Sequence, residues 1–518
     1  MQINAVPLIF GLWALPLAAQ ETPLSAIDWL AVQRTVEPVV TVQPETPEKP
    51  VAQSATVPKI DVQPLDTPSI GGVGLLPSAV TGLPVALWQG SAEADLIAAL
   101  ERLHRRKPSV PALDSLFHTL LLAEATPPAG SRGEDLLRAR LRSLYTHGLV
   151  APAEALAERI GTLTPALFQQ AFDLALLTGS DEALCQVLND QPTLSNDLPT
   201  RIWCATRSGD FPRAMTIYQT ATALGQLSDL DAELLLRFLD PEYAEDIQPL
   251  RPPVRPTPLQ FRLFEAIGEA LPTTPLPLPF AVVELSGDSG WRAQLQAAER
   301  LARAGAIDGN QLLGVYTEQL RAASGGIWDR VDALQRFETA LNTRDPGAVS
   351  SSLERVWPQM RTAGLLVPFS NLFAARLQGL PLSDRAERIS GFAGLLSKDY
   401  ERFAPALLGS DVPELVFLAK IAQGDATGAP RSTVPHAQAL AQAWSTAPTA
   451  PDDLAQMAQE NRLGEALLTT LLRFETGAEG RPADLTQALQ TLRAFGLEDT
   501  ARRAALQLAI LDMEGARR

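Results

Sequence analysis

An all-α stack of helical hairpins, a solenoid carried behind an export signal and a proline-rich disordered tether, is the fold class this sequence predicts. Three observations carry it. From Ser91 onward apolar residues recur at three- and four-residue spacing, period-two alternation is hard to find over a useful length, and the intervening segments are short and carry Gly, Asp, Pro or Ser. Composition agrees: 46% of the 518 residues are apolar but only 6% aromatic, and Ala and Leu, both good helix formers, supply most of the apolar content. A chain this long exceeds one hydrophobic core and should form several domains or one long array.

Residues 5–19 form an uncharged apolar run too short to span a bilayer, so 1–19 are expected to be a secretory signal peptide. Cleavage after Ala19 puts Ala19 and Leu17 at the processing positions, although the start carries no Lys or Arg. Only five of the 43 basic residues are Lys; with abundant Ala, this Arg bias points to a GC-rich bacterial genome and hence to the periplasm. Residues 20–84 are expected to be a disordered tether. Nine prolines lie within 31–84, where there is no apolar periodicity. Ahead of them stands an apolar island, 26–30. In it Ile27, Trp29 and Leu30 are candidates for a linear anchor that docks in a helical groove. The alternative is that these three merely extend the signal region.

Behind the tether, helix faces follow in order. Leu137, Leu141, Leu144 and Tyr145 share one, and Trp291, Leu295 and Ala298 another. Leu313, Tyr316 and Leu320 come next, then Ile327, Trp328, Val331, Leu334 and Leu341, and last Ala501, Ala504, Ala505, Leu508 and Leu511. Pro-rich breaks at 251–258, 272–279 and 424–435 suggest three helical groups, 91–248, 259–424 and 436–518, with soft boundaries. No other stretch approaches eighteen uninterrupted apolar residues, so no membrane span is expected.

Three turns share a pattern. GLVAPAEALAERI (148–160), GDFPRAMTIYQTA (209–221) and GLEDTARRAALQLA (496–509) each place Gly five residues before an Ala, with apolar or aromatic residues four and seven positions beyond it. Gly ends one helix in a conformation that a Cβ disfavours, and the small Ala lets the next helix approach closely. In 209–221, Gly209, Asp210, Phe211, Ala214, Tyr218 and Ala221 resemble the second helix of a tetratricopeptide repeat. The preceding helix, with Leu198, Arg201, Ile202 and Ala205, departs from that family's pattern, and no strict 34-residue period runs through the chain. The resemblance covers about 13 residues and implies a helical scaffold that binds peptides or proteins.

Cys185 and Cys204 each fall in an expected helix with a turn between them, so antiparallel neighbours could bring the sulfurs together. In an oxidising compartment the bridge would contribute roughly 3 kcal/mol through loop closure. Two buried thiols are the alternative.

Chemistry is sparse. Ser286-Gly287-Asp288-Ser289-Gly290 contains the GDSG of chymotrypsin-like proteases, but it precedes a clear helix, and Asp288 or Ser289 as N-cap accounts for it. The four histidines, His104, His118, His147 and His436, have no metal-ligand spacing, and His104 and His147 suit helix C-termini. No phosphate-binding or dinucleotide-binding loop is present, and the acid pairs Glu93/Asp95 and Asp452/Asp453 suit helix starts. The basic runs at 104–107 and at Arg138/Arg142 read as solvated surface, with Glu134 placed to pair with Arg138. A formal charge of −16 argues against nucleic acid and anionic lipid as partners. The expectation is therefore a non-catalytic periplasmic scaffold without cofactor or metal, binding a protein or peptide partner, for instance within an envelope machine such as one for motility. A glycan-binding protein that assists a muramidase, or a glycan-active enzyme, is the alternative. An aromatic and acidic groove would favour glycan, and an Arg-lined or apolar groove would favour peptide.

Overall fold

Helices start where a short polar residue or a proline precedes an apolar stripe, and they are joined by short turns. The computed structural model describes residues 70–518 except 162, 245–247, 287, 288, 322, 427–431 and 518. Two units are distinguished, Met1–Ile60 and Asp61–Arg518. The first lies outside the described residues, and with it the expected signal peptide and the anchor candidates Ile27, Trp29 and Leu30.

The second unit is all-helical, with no strand among the described residues and one isolated bridge between Leu76 and Ala123. After a 3-10 helix, Ile70–Gly72, and a single turn, Ser78–Thr81, its longer helices begin with α1 (Glu93–Arg105), α2 (Pro111–Leu122), α3 (Glu134–Thr146), α4 (Val150–Glu158) and α5 (Pro165–Thr178). Then come α6 (Asp181–Asp190), α7 (Leu198–Arg207), α8 (Phe211–Ala223), α9 (Asp229–Leu239) and α10 (Pro258–Ala266). A 3-10 helix, Leu278–Ser286, leads into α11 (Trp291–Arg303), α12 (Gly309–Thr317), α13 (Ile327–Thr343), α14 (Pro346–Thr362) and α15 (Leu366–Leu377). The remainder are α16 (Asp384–Leu396), α17 (Tyr400–Leu407), α18 (Pro413–Ala422), α19 (Ala437–Ser445), α20 (Asp452–Gln459), α21 (Leu463–Ala478), α22 (Pro482–Ala494) and α23 (Glu498–Met513).

Local chemistry explains many of these boundaries. Thr164, Asp197, Asp210, Ser228, Asp308, Asp345 and Ser383 each accept a backbone N–H bond at a helix start, and Thr257 with Gln260 forms a capping box. Gly148, Gly209 and Gly496 all adopt the left-handed conformation at φ of 78–79°, and Ala153, Ala214 and Ala501 beyond them are completely buried. Successive helices then pack in neighbouring pairs, α7 on α8, α13 on α14, α21 on α22. Cys185 on α6 and Cys204 on α7 are joined in a disulfide, with their Cα atoms 4.8 Å apart.

Several expectations are corrected. Residues 70–84, assigned to the disordered tether, belong to the folded body. Gly71 N–H bonds Arg132 O, Leu75 and Leu76 N–H bond Leu122 O, and Leu83 is buried. Proline and missing periodicity hid a short 3-10 helix, Ile70–Gly72, and a single helical turn, Ser78–Thr81, and backbone bonds to α2 order the rest of the segment. Leu320 lies past the end of α12 and is 85% exposed, so it does not extend that face. The N-cap of α11 is Gly290, without a side-chain bond; Ser289 contributes its carbonyl to Gln294, and Asp288 lies outside the described residues. Arg138 pairs with Asp135 at 3.3 Å, while Glu134 accepts a bond from Thr164 Oγ1.

The array does not stay open. α1 packs on α21 and α2 on α23, so the first hairpin returns onto the last helices. The segment ahead of α1 fastens this closure: Gly90 N–H bonds Asn461 O, Gly464 N–H bonds Leu87 O, and the buried Trp88 indole lies against Gly464. Further along, Ala112 N–H bonds Gln507 Oε1 at 2.7 Å and Ser109 N–H bonds Glu475 Oε1 at 2.9 Å.

Candidate functional site

Closure brings helix ends together. The C-cap residues of six helices line one cavity of about 1140 Å³: Arg106 (α1), His147 (α3), Ala304 (α11), Ala363 (α14), Glu479 (α21) and Glu514 (α23). Each helix C-terminus carries about half a negative charge, so six ends amount to roughly −3. The side chains answer with cations: Arg106, Lys107, Arg300, Arg303, Arg361 and Arg517 share the wall with Asp114, Glu475, Glu479 and Glu514.

Most of the cations are tied to acids or carbonyls. Arg106 pairs with Glu479 and donates to Thr476 Oγ1 at 3.1 Å. Arg361 approaches Glu514 at 3.7 Å, and Glu514 also accepts the indole N–H of Trp357 at 3.2 Å. Arg517 meets Asp512 at 2.9 Å. Burial raises the Glu475 carboxyl above its ordinary range, opposed by the Ser109 N–H bond. Arg300 donates to the carbonyls of Thr273 and Leu276 at 2.9 and 2.6 Å, and Arg303 to that of Glu299 at 3.1 Å. The lining thus combines donors and acceptors and includes no Phe, Tyr or Trp.

Of the basic runs expected to be plain surface, Arg106 and Lys107 face this cavity. The sequence signal was present, since cations gather in the last turns of α1, α11 and α14, but nothing in it said that these ends share a space. His147 is buried beside the ring of His118, at a centroid distance of 5.6 Å. His104 is held below its ordinary pKa, first by burial and then by Lys107, which disfavours the charged form expected at that helix end. Among the described residues, no group of three or more His, Cys, Asp or Glu is arranged to hold a metal ion, and no helix is long and apolar enough to cross a membrane.

One carboxyl elsewhere is pushed toward neutrality. Asp173, in a small recess with Tyr145 and Arg142, is raised to about 6 by burial, against a bond from Gln169 and with a smaller push from Asp197. A folded pKa above the unfolded value contributes stability below about pH 4 that is lost as pH rises through 6, so at pH 7 the charged carboxylate is a net cost. Asp173→Asn is therefore expected to raise the unfolding free energy by about 1–3 kcal/mol at pH 7–8 and to change nothing below pH 4. Urea unfolding of both proteins at pH 3.5, 5.5 and 7.5 checks the sign.

Comparison with family models, with curated proteins and with solved structures returns no match.

Proposed function

We propose that this protein is a non-catalytic scaffold of the bacterial cell envelope that binds a partner protein by taking a peptide segment into the cavity at its closure. The presence of both donors and acceptors on the cavity wall is the observation that carries this. A polypeptide offers an N–H and a C=O at every residue, and it would find arginines for its carbonyls and helix-end carbonyls or carboxylates for its amides. A uniform polyanion would meet four carboxylates and six helix C-termini, which repel it. A sugar would lack the aromatic platform that stacking against its faces uses. The tetratricopeptide-like stretch at 209–221 supports the scaffold assignment, as does the apolar island with Ile27, Trp29 and Leu30, a second anchor for the same partner. Localisation in the periplasm follows from the expected signal peptide.

Thr362 is exposed at the cavity wall, with its hydroxyl donating to the Pro358 carbonyl one turn back, so a larger side chain there is expected to leave the core in place. A photo-reactive benzoylphenylalanine at position 362 should, on irradiation of cells, yield one reproducible cross-linked protein. The same residue at exposed Arg402 should not. Equal labelling from both positions, or none from 362, would overturn the assignment, and pull-down on peptidoglycan would then test the glycan alternative.

A further inference from the structure

Arg300 and Arg303 look in two directions. Besides the large cavity they line a second cleft of about 640 Å³, between α11 and the turn that leads into α13. Along α11, Arg292, Gln296, Arg300 and Arg303 fall within one 80° arc of the helical wheel, while Leu295, Ala298, Leu301 and Ala302 fill the buried side. Among the described residues none of the three arginines pairs with a carboxylate. Arg300 spends two of its five N–H groups on carbonyls and Arg303 spends one, which leaves seven donors between them.

The one acid of this cleft is already neutralised. Glu299 is gripped by Arg330 through two bonds of 2.7 and 2.8 Å and accepts the Tyr316 hydroxyl at 2.5 Å. The same cleft is lined by Gly326, by Gly325, whose N–H is bonded to Asp329 Oδ1 at 3.0 Å, and by Trp328, itself braced by Trp291 at 5.2 Å between ring centroids. The lining of this cleft has four arginines, Arg292, Arg300, Arg303 and Arg330, to one carboxylate, with Arg300 and Arg303 shared with the large cavity. Burial, and then the neighbouring Arg303, hold the Arg300 guanidinium below its ordinary pKa, a repulsion that a bound anion would relieve.

We infer that the cleft between α11 and the 323–328 turn is an oxyanion site, in which Arg300 and Arg303, with Arg292 at its outer edge, take a carboxylate or phosphate group against Trp328. The site can be filled by a free anion or by an acidic side chain or chain terminus of the partner proposed above. Only the second source rests on that proposal.

Titration calorimetry of the whole protein with inorganic phosphate and with citrate, at constant ionic strength, tests the site directly. Saturable binding is expected, weakened at least tenfold by Arg303→Ala and by Arg292→Ala and unchanged by Arg402→Ala, with circular dichroism confirming that each variant folds. Binding that does not saturate, or that all variants retain, overturns the inference. The cross-link from position 362 then separates the sources. If phosphate suppresses it, the partner's own acidic group occupies the cleft; if phosphate binds and the cross-link persists, the cleft takes a free anion. Absence of any cross-link from position 362 before phosphate is added, with phosphate binding intact, would remove the peptide scaffold and leave the anion site standing.

Discussion

Gly464→Leu is expected to unfasten the closure and to lower the unfolding free energy by about 2–3 kcal/mol. The first residue of the loop-facing turn of α21 after Leu463, Gly464 lies flat against the Trp88 indole, and a Cβ placed there would overlap the ring itself. The indole has nowhere to retreat, because Trp88 is buried and its segment is stitched on both sides by Gly90 N–H to Asn461 O and Gly464 N–H to Leu87 O. A larger residue must therefore displace the 83–91 segment from the α20–α21 turn. Urea unfolding should show the loss, and limited proteolysis should show new cleavage near 83–91. Gly409→Leu is the control, since a Cβ at Gly409 meets only open space. Equal behaviour of the two variants would mean that the Trp88 contact does not hold the ends together. If closure builds the cavity, Gly464→Leu also abolishes the cross-link from position 362.

Arg140→Met should cost about 3–5 kcal/mol, close to what breaking a buried polar network costs elsewhere. The guanidinium is 1% exposed and reaches three backbone carbonyls: Nε to Leu121 O at 2.7 Å, Nη1 to Val73 O at 2.9 Å and Nη2 to Ala123 O at 2.9 Å. Two of these belong to the end of α2, whose last carbonyls have no partner within the helix. The third belongs to the incoming 70–76 segment. Burial pushes the group down to about 10, which leaves it charged at neutral pH. Methionine fills the volume but strands all three acceptors. Lysine restores a charge on a single nitrogen without the planar fork, so Arg140→Lys should recover only part of the loss. Arg142→Met, on the exposed side of the same helix, is expected to stay within about 0.5 kcal/mol of the parent. Comparable midpoints for Arg140→Met and Arg142→Met would sink the argument.

Both sites show why some of this molecule was legible beforehand and some was not. The three Gly-to-Ala turns identify helical hairpins because their requirement is local: a left-handed residue and a small side chain at a close approach. The cysteines could be paired on similar grounds, since 19 positions along two adjacent helices leave few places for the sulfurs to be. Arg140 was unremarkable in sequence, one of three arginines on α3, and the segment that it holds read as part of a disordered tether. Its role depends on the end of another helix, and no periodicity records that.

The same division applies to the cavity and the cleft. Arginine in the last turn of a helix follows from the dipole of that helix alone, and the chain places such residues on α1, α11 and α14. Helix content, turn positions and the acidic balance are likewise properties of short stretches or of the whole composition, so they can be read without a fold. Which helix ends meet is a different kind of fact. It depends on α1 and α2 finding α21 and α23 across more than 300 residues, through contacts such as Ala112 N–H to Gln507 and Trp88 against Gly464. An apolar stripe specifies that a helix must be covered but not by which partner, and packing alone converts scattered helix caps into a single charged chamber.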